Sequence, residues 1–280
     1  MAEIKLCAFA DEAGDALSEQ IAMMKDNGIG LLELRAIDKK NVSKFTNDEV
    51  KEYKKQLDDA GIKVWSIGSP IGKVQIGDDF NIDHDLCKRV LEIGEMFGAK
   101  KLRMFSFYGT EGKEEYFDTV IERLAKYLEA AKGSGIQLCH ENEKGIYGDT
   151  AARCLAIHKA LPELRAVFDP ANFVQCGEDT VAAFDMLAPY IDYGHVKDSL
   201  ADNSIVPPGT GIGKIPEYFA RFKAIGGEVL TLEPHLAEFS SLADIEQKGD
   251  ESKVGLYHFD SPRAAFDYAV ESVKNILKEI

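Results

Sequence analysis

Apolar residues recur along this chain at steps of three and four: Leu17, Ile21 and Met24; Val50, Tyr53 and Leu57; Phe117, Ile121, Leu124 and Leu128; Phe266, Val270 and Val273. That period gives each segment a helix with one buried stripe. Short β-prone runs lie between the helices, and glycine announces most of them. Asn27-Gly28 precedes Leu31 to Arg35, Gly61 precedes Lys63 to Gly68, Gly98 precedes Lys101 to Phe105, Gly135 precedes Ile136 to Glu141, and Gly226-Gly227 precedes Val229 to Glu233. Glycine suits the left-handed position that ends a helix. Adding Ile4 to Ala8, Leu164 to Asp169 and Ile191 to Lys197 gives eight strands alternating with eight helical segments. Strict alternation predicts a parallel sheet, whose simplest closed form is an α/β (β/α)8 barrel, the TIM barrel. The competing arrangement is an open doubly wound sheet, but Ala8-Phe9-Ala10-Asp11-Glu12 lacks the glycine fingerprint that should follow its first strand.

The chain has 280 residues, and one barrel of about 250 residues would use nearly all of it. We therefore expect one domain over residues 1–280, with a long loop at about 234–259 that covers the C-terminal mouth or serves a partner subunit. Acidic residues number 48 against 33 basic ones, for a formal charge of -15. Such a charge repels phosphate backbones and argues against nucleic-acid binding, while small or cationic ligands stay open. Five cysteines without CxxC spacing indicate neither a disulfide framework nor a cysteine zinc site, which fits a reducing cytoplasm. No apolar run has the roughly 18 residues needed to span a bilayer, and Met1 to Asp11 lacks the order of a signal peptide. No membrane association is expected.

Four strand ends carry the candidate chemistry: His140-Glu141-Asn142, Phe168-Asp169-Pro170, Gly194-His195-Val196-Lys197 and Leu232-Glu233-Pro234. They are spaced by about one strand-plus-helix unit, so a barrel would bring Glu141, Asp169, His195 and Glu233 together at the carboxyl ends of strands five to eight. Three carboxylates facing one another would repel, and a divalent cation would relieve that repulsion. Oxygen-rich ligation with one imidazole suits Mn, Mg, Co or Zn. Any one of these acids could instead pair with a neighbouring base, and a lone His195 could be structural; the argument for one divalent metal ion rests on the four as a set.

At these residues the chain resembles the xylose-isomerase-like barrel superfamily, which contains sugar isomerases, ketose 3-epimerases, inosose dehydratases and the endonuclease IV group. The resemblance runs over almost the whole length. It is carried by Glu141-Asn142, Asp169-Pro170-Ala171-Asn172, His195-Val196-Lys197-Asp198 and Leu232-Glu233. It implies that Glu141, Asp169, His195 and Glu233 are metal ligands and that the substrate is a keto-sugar, a sugar phosphate or a related polyol. It also implies a homodimer or homotetramer. The endonuclease branch needs further histidines, one of them three residues after the strand-six aspartate, where this chain has Asn172.

The implied reaction is isomerisation or epimerisation by proton transfer through a metal-stabilised enediolate, with Glu141 and Glu233 exchanging protons on opposite faces of one carbon. An inosose-type dehydration and a catalytically idle sugar-binding barrel are the alternatives. Lys197 shares the face of His195 and is a candidate for a substrate oxygen, or else a structural rim lysine. His235 is the favoured histidine for substrate contact, since alternation turns His140 away from the mouth. Arg103, Lys73 on the turn Ser69-Pro70-Ile71-Gly72-Lys73, Glu33 and Asn172 complete the substrate-binding candidates; Glu33 and Arg35 could equally form a rim ion pair. Trp65 reads as core or pocket wall, and His84, His158 and His258 as packing or surface residues. Gly209-Thr210-Gly211-Ile212-Gly213-Lys214 lacks the Walker spacing, so a plain connector is preferred over a phosphate loop.

Overall fold

Helix limits in this protein are set by local chemistry. In the computed structural model, residues 3–242 and 252–280 are described. Glu49 donates its backbone N–H to Thr46 Oγ1 at 3.3 Å, and its carboxylate accepts the Thr46 N–H at 2.7 Å. This reciprocal cap starts the helix Asn47–Asp59. Asp79 caps Phe80–Phe97, which stops at Gly98 with φ of 78°, and Ser261 followed by Pro262 opens Pro262–Glu279.

Eight parallel strands form the barrel: β1 (Lys5–Ala8), β2 (Leu31–Leu34), β3 (Lys63–Gly68), β4 (Lys101–Met104), β5 (Gln137–Glu141), β6 (Arg165–Phe168), β7 (Ile191–Val196) and β8 (Val229–Leu232). Each hydrogen-bonds to its neighbours in sequence, and β8 pairs with β1 to close the ring. The helices among the described residues are α1 (Leu17–Asp26), α2 (Asn47–Asp59), α3 (Phe80–Phe97), α4 (Phe117–Ala131), α5 (Ala151–Ala160), α6 (Pro170–Gln175), α7 (Thr180–Leu187), α8 (Ile215–Ala224) and α9 (Pro262–Glu279). The expected alternation is present, with α6 as an extra turn after β6. No helix among the described residues is long and apolar enough to cross a membrane.

Alternation along the strands sorts two cores. Outward residues such as Leu32, Leu34, Ile67, Leu102, Leu138, Phe168, Val196 and Leu232 pack under the helices. Each such side chain contributes about 1.5–3 kcal/mol relative to exposure, so this shell drives closure. Inward residues Cys7, Cys139, Val167, Tyr193 and Val229, with Leu31 and Trp65, plug the barrel floor. Trp65 meets Tyr193 edge-on at 4.9 Å. It is therefore core, and the polar layer stacked above it points to the mouth.

The described flanks of the long loop lie at that mouth. Leu236 is buried, Ser241 donates to Asp11 Oδ2 at 2.8 Å, and His235 and Ser252 line the central pocket. The middle of the expected loop, residues 243–251, lies outside the described residues.

Candidate metal centre

The site is built by the last inward residue of successive strands. On β5, Leu138 faces the helices and Cys139 the barrel axis, so Glu141 points inward and His140 outward. His140 Nε2 lies 2.9 Å from Ser106 Oγ and its ring packs edge-on against His158. After β6, Asp169 caps α6, its Oδ1 accepting the Asn172 N–H at 3.0 Å. That cap fixes the carboxylate and leaves Oδ2 facing the axis. His195 and Lys197 come from β7 and Glu233 follows β8.

These side chains converge. His195 Nδ1 is 3.0 Å from Glu141 Oε1, 3.1 Å from Glu233 Oε2 and 4.0 Å from Asp169 Oδ2. One donor atom from each of Glu141, Asp169, His195 and Glu233 can be chosen so that all lie within 4.8 Å of one another, and all four residues are buried. Asp169 Oδ2 and Glu233 Oε2 are buried without a well-aligned hydrogen bond, their nearest partners being Lys197 Nζ and His195 Nδ1, each at 3.1 Å. Buried oxygens in that state are costly unless a cation meets them. Among the described residues, six buried carboxylates, Asp11, Glu12, Glu33, Glu141, Asp169 and Glu233, face the buried cations of Arg35, Arg103 and Lys197 and the His195 imidazole, and so outnumber them. The donor set and its charge deficit both fit one divalent ion.

The other ring nitrogen of the histidine faces a further carboxylate. His195 Nε2 lies 3.3 Å from Glu33 Oε2, while Glu33 Oε1 accepts from Tyr193 at 2.7 Å and Ser66 at 3.1 Å. A carboxylate behind the imidazole orients the ring and directs Nδ1 at the acids. Glu33 is thus fully buried beneath His195 and does not line the pocket, contrary to its expected place beside substrate. Nor does it pair with Arg35, which grips Asp11, Glu12 and Glu233 instead. The register of β2 against β3 slips by one residue here, Leu32 pairing with Val64 and Glu33 with Ser66, which sets Ser66 beside the Glu33 carboxylate.

Charge sets the protonation states. Burial opposes the His195 imidazolium, but Glu141, Glu33 and Glu233 outweigh it and hold the pKa well above 6.5. For Asp169 burial wins over the Lys197 ammonium, 3.1 Å away, and its pKa rises to about 6. Burial would also raise Glu141, yet His195 and Arg103 overcome it and lower that carboxyl to about 2. Glu233 is likewise held well below the ordinary value, Lys197 and His195 outweighing burial.

Around this centre the pocket wall contains Lys73, Arg103, Asn172, Lys197 and His235. Arg103 donates to Glu141 Oε2 at 2.8 Å, and Asn172 Nδ2 donates to the Asn142 carbonyl at 2.9 Å and to Glu141 Oε1 at 3.3 Å. Lys73 lies 3.2 Å from Glu143 Oε2 and over the Phe105 ring at 4.4 Å, and burial pulls its pKa down. Tyr108, Glu143 and Gln175 also line the pocket but stand on loops or off the strand ends, where strand-end reasoning could not find them. Asp11 and Glu12 sit in the short turn Ala10–Glu12 just beyond β1, where the strand-end rule reaches them. The glycine loop after β7 closes on its own chain, since the N–H groups of Gly209, Gly211 and Gly213 all donate to the Asp198 carboxylate at 2.9 Å. Its amides are spoken for, which removes the phosphate reading. His158 is buried against Tyr190, while His258 is exposed.

A family description, the xylose isomerase-like TIM barrel, matches residues 21–252. No curated protein matches the chain. Among solved structures, an L-ribulose 3-epimerase is 20% identical, with TM-score 0.75 over 100% of this chain and 95% of that one. The IolI protein with a bound zinc atom is 17% identical, with TM-score 0.76 and 99% of each chain covered. The probable 3-DHS dehydratase AsbF from Bacillus anthracis is 16% identical, with TM-score 0.68 and 97% of each covered. At these identities the likeness is one of fold.

Proposed function

The chain belongs to the xylose isomerase-like TIM-barrel family, and from that premise we propose that it is a divalent-metal-dependent enzyme that moves a proton beside the carbonyl of a keto-sugar, sugar phosphate or related polyol. The observation that carries this reading is the buried convergence of donor atoms from Glu141, Asp169, His195 and Glu233 within 4.8 Å. Structural neighbours that include an L-ribulose 3-epimerase support the substrate class. A divalent ion held there supplies Lewis acidity, polarising a carbonyl and stabilising the negative charge left when its neighbouring carbon loses a proton. Mn, Mg, Co and Zn all suit these donors.

The chain's own residues do the rest. Glu141 and Glu233 are ionised and both lie close to His195 Nδ1, at 3.0 and 3.1 Å. A pair of carboxylates at one bound carbon can take a proton from one face and return one to the other, which is the requirement for epimerisation. Arg103 and Arg35 each hold one oxygen of these two acids, fixing their reach. Lys197 and Lys73 offer ammonium donors to substrate oxygens, and the buried wall excludes water.

A second reading is dehydration. His235 lines the pocket, its backbone lies in the left-handed region at φ of 47°, and neither ring nitrogen has a hydrogen-bond partner. Such a side chain could protonate a departing hydroxyl after the same proton abstraction. Both readings are tested by incubating the manganese-loaded protein in D2O with a panel of ketoses, inososes and their phosphates. Deuterium entering next to a carbonyl supports proton transfer, and an ultraviolet-absorbing enone selects dehydration. Bound metal with neither signal would leave a sugar-binding barrel.

A further inference from the structure

The inference drawn here rests on the metal reading above and concerns the far side of one ligand. Glu233 presents its two oxygens to different neighbourhoods. Oε2 faces His195 and Lys197, whereas Oε1 lies 3.6 Å from His235 Nε2 and accepts from Arg35. Glu12, Glu233 and His235 bring a second set of donor atoms within 4.8 Å of one another, all buried. The His235 ring, 3% exposed and without a hydrogen bond at either nitrogen, points its Nε2 at Glu12 Oε1 across 3.3 Å. Two carboxylates and an imidazole are a donor set suited to a second cation, next to the first set and sharing Glu233 with it.

A cation already stands there. The Arg35 guanidinium donates Nη1 to Glu233 Oε1 at 2.9 Å and Nη2 to Glu12 Oε1 at 3.2 Å. Asp11 clamps its remaining edge, at 2.9 Å from Nε and 3.2 Å from Nη2. Phe9 and Phe239 lie 4.4 and 5.0 Å from the guanidinium carbon, further fixing its plane. We propose that Arg35 is a built-in cation occupying the place of a second metal ion, so that the mouth of this barrel holds one ion where its ligands would otherwise hold two. The consequence is a restriction of chemistry. Paired ions about 3.5–4 Å apart clamp the attacking and leaving oxygens of a phosphoester displacement. A guanidinium cannot accept a substrate oxygen into a coordination shell, so at this second position a side chain closes that reaction.

The test is metal stoichiometry. Metal-stripped wild type, Arg35→Lys and Arg35→Ala are titrated with Mn2+ in a calorimeter, and the bound manganese is counted after desalting. One ion per chain is expected for wild type and Arg35→Lys, and two for Arg35→Ala, with a spin-coupled resonance signal from the adjacent ions. Adding His235→Ala to Arg35→Ala should return the count to one. Two ions in wild type, or one in Arg35→Ala, overturns the proposal while the metal reading stands. No ion in wild type overturns the metal reading itself. If Arg35→Ala does not fold, Arg35→Gln, which is neutral and nearly as long, is read by the same criterion.

Discussion

Glu33 illustrates how much one side chain can do without touching substrate. Its carboxylate lies 3.3 Å from His195 Nε2 and is itself held by Tyr193 and Ser66. Partners of this kind typically contribute 10–100-fold in metal affinity. Glu33→Gln should weaken manganese binding by about that factor with the fold unchanged; an unaltered dissociation constant would remove Glu33 from the account. At the proposed ligands the effects are larger. Glu141→Gln and Glu233→Gln should each lower turnover of whichever ketose the deuterium screen identifies by at least about 100-fold. Activity within a few-fold of wild type would contradict the proton-carrier roles. Protonation adds a dependence on pH. Metal uptake needs a neutral His195 Nδ1, yet in the metal-free protein that ring is held protonated at neutral pH. Binding must therefore release a proton, and affinity should rise about tenfold per pH unit through neutrality. Below about pH 6 Asp169 also carries a proton, so the slope should steepen there. Calorimetry in buffers from pH 5.5 to 8 checks the sign.

Among the elements, β7 bears the tightest constraint. Gly194 faces the helix layer between His195 and Tyr193, and a Cβ built on it would sit 1.5 Å from the Tyr218 hydroxyl of α8. Gly194→Ala should destabilise the barrel by about 1–3 kcal/mol through overpacking. A wild-type urea midpoint would show that α8 yields more easily than this contact implies. The strands and the inward donor residues were legible in the sequence because period two and one polar donor per strand end are local signals, visible for Glu141, Asp169, His195 and Glu233 without any knowledge of contacts. Arg35 and Glu33 were misread for the opposite reason. Their partners are distant in sequence, Glu233 for the first and His195 for the second, and no local signal names them. The glycine loop was ambiguous until Asp198 was seen to occupy its amides.

Across the whole molecule, buried neutral histidines couple folding to acidity. Burial lowers His158 to about 4 and His140 to about 3. Unfolded, both would titrate near the ordinary value of about 6.5. Above that pH they cost nothing in either state; as pH falls below it the unfolded chain takes up protons that the native fold refuses, and stability drops until the folded pKa is reached. At pH 5 His158 alone should cost on the order of 2 kcal/mol. His158→Gln should therefore lose less stability than wild type between pH 7 and pH 5 in urea unfolding, and an equal loss would show that other groups dominate acid sensitivity.

The claim on which the rest depends is that the mouth of the barrel grips a divalent ion through side chains from its last four strands. It is tested most directly by titrating the metal-stripped protein and an Asp169→Asn/His195→Ala double variant with Mn2+, while circular dichroism reports the fold of each. The account predicts one bound ion in the wild type and none in the folded double variant. A wild type that takes up no metal, or a double variant that binds it as tightly, would contradict it.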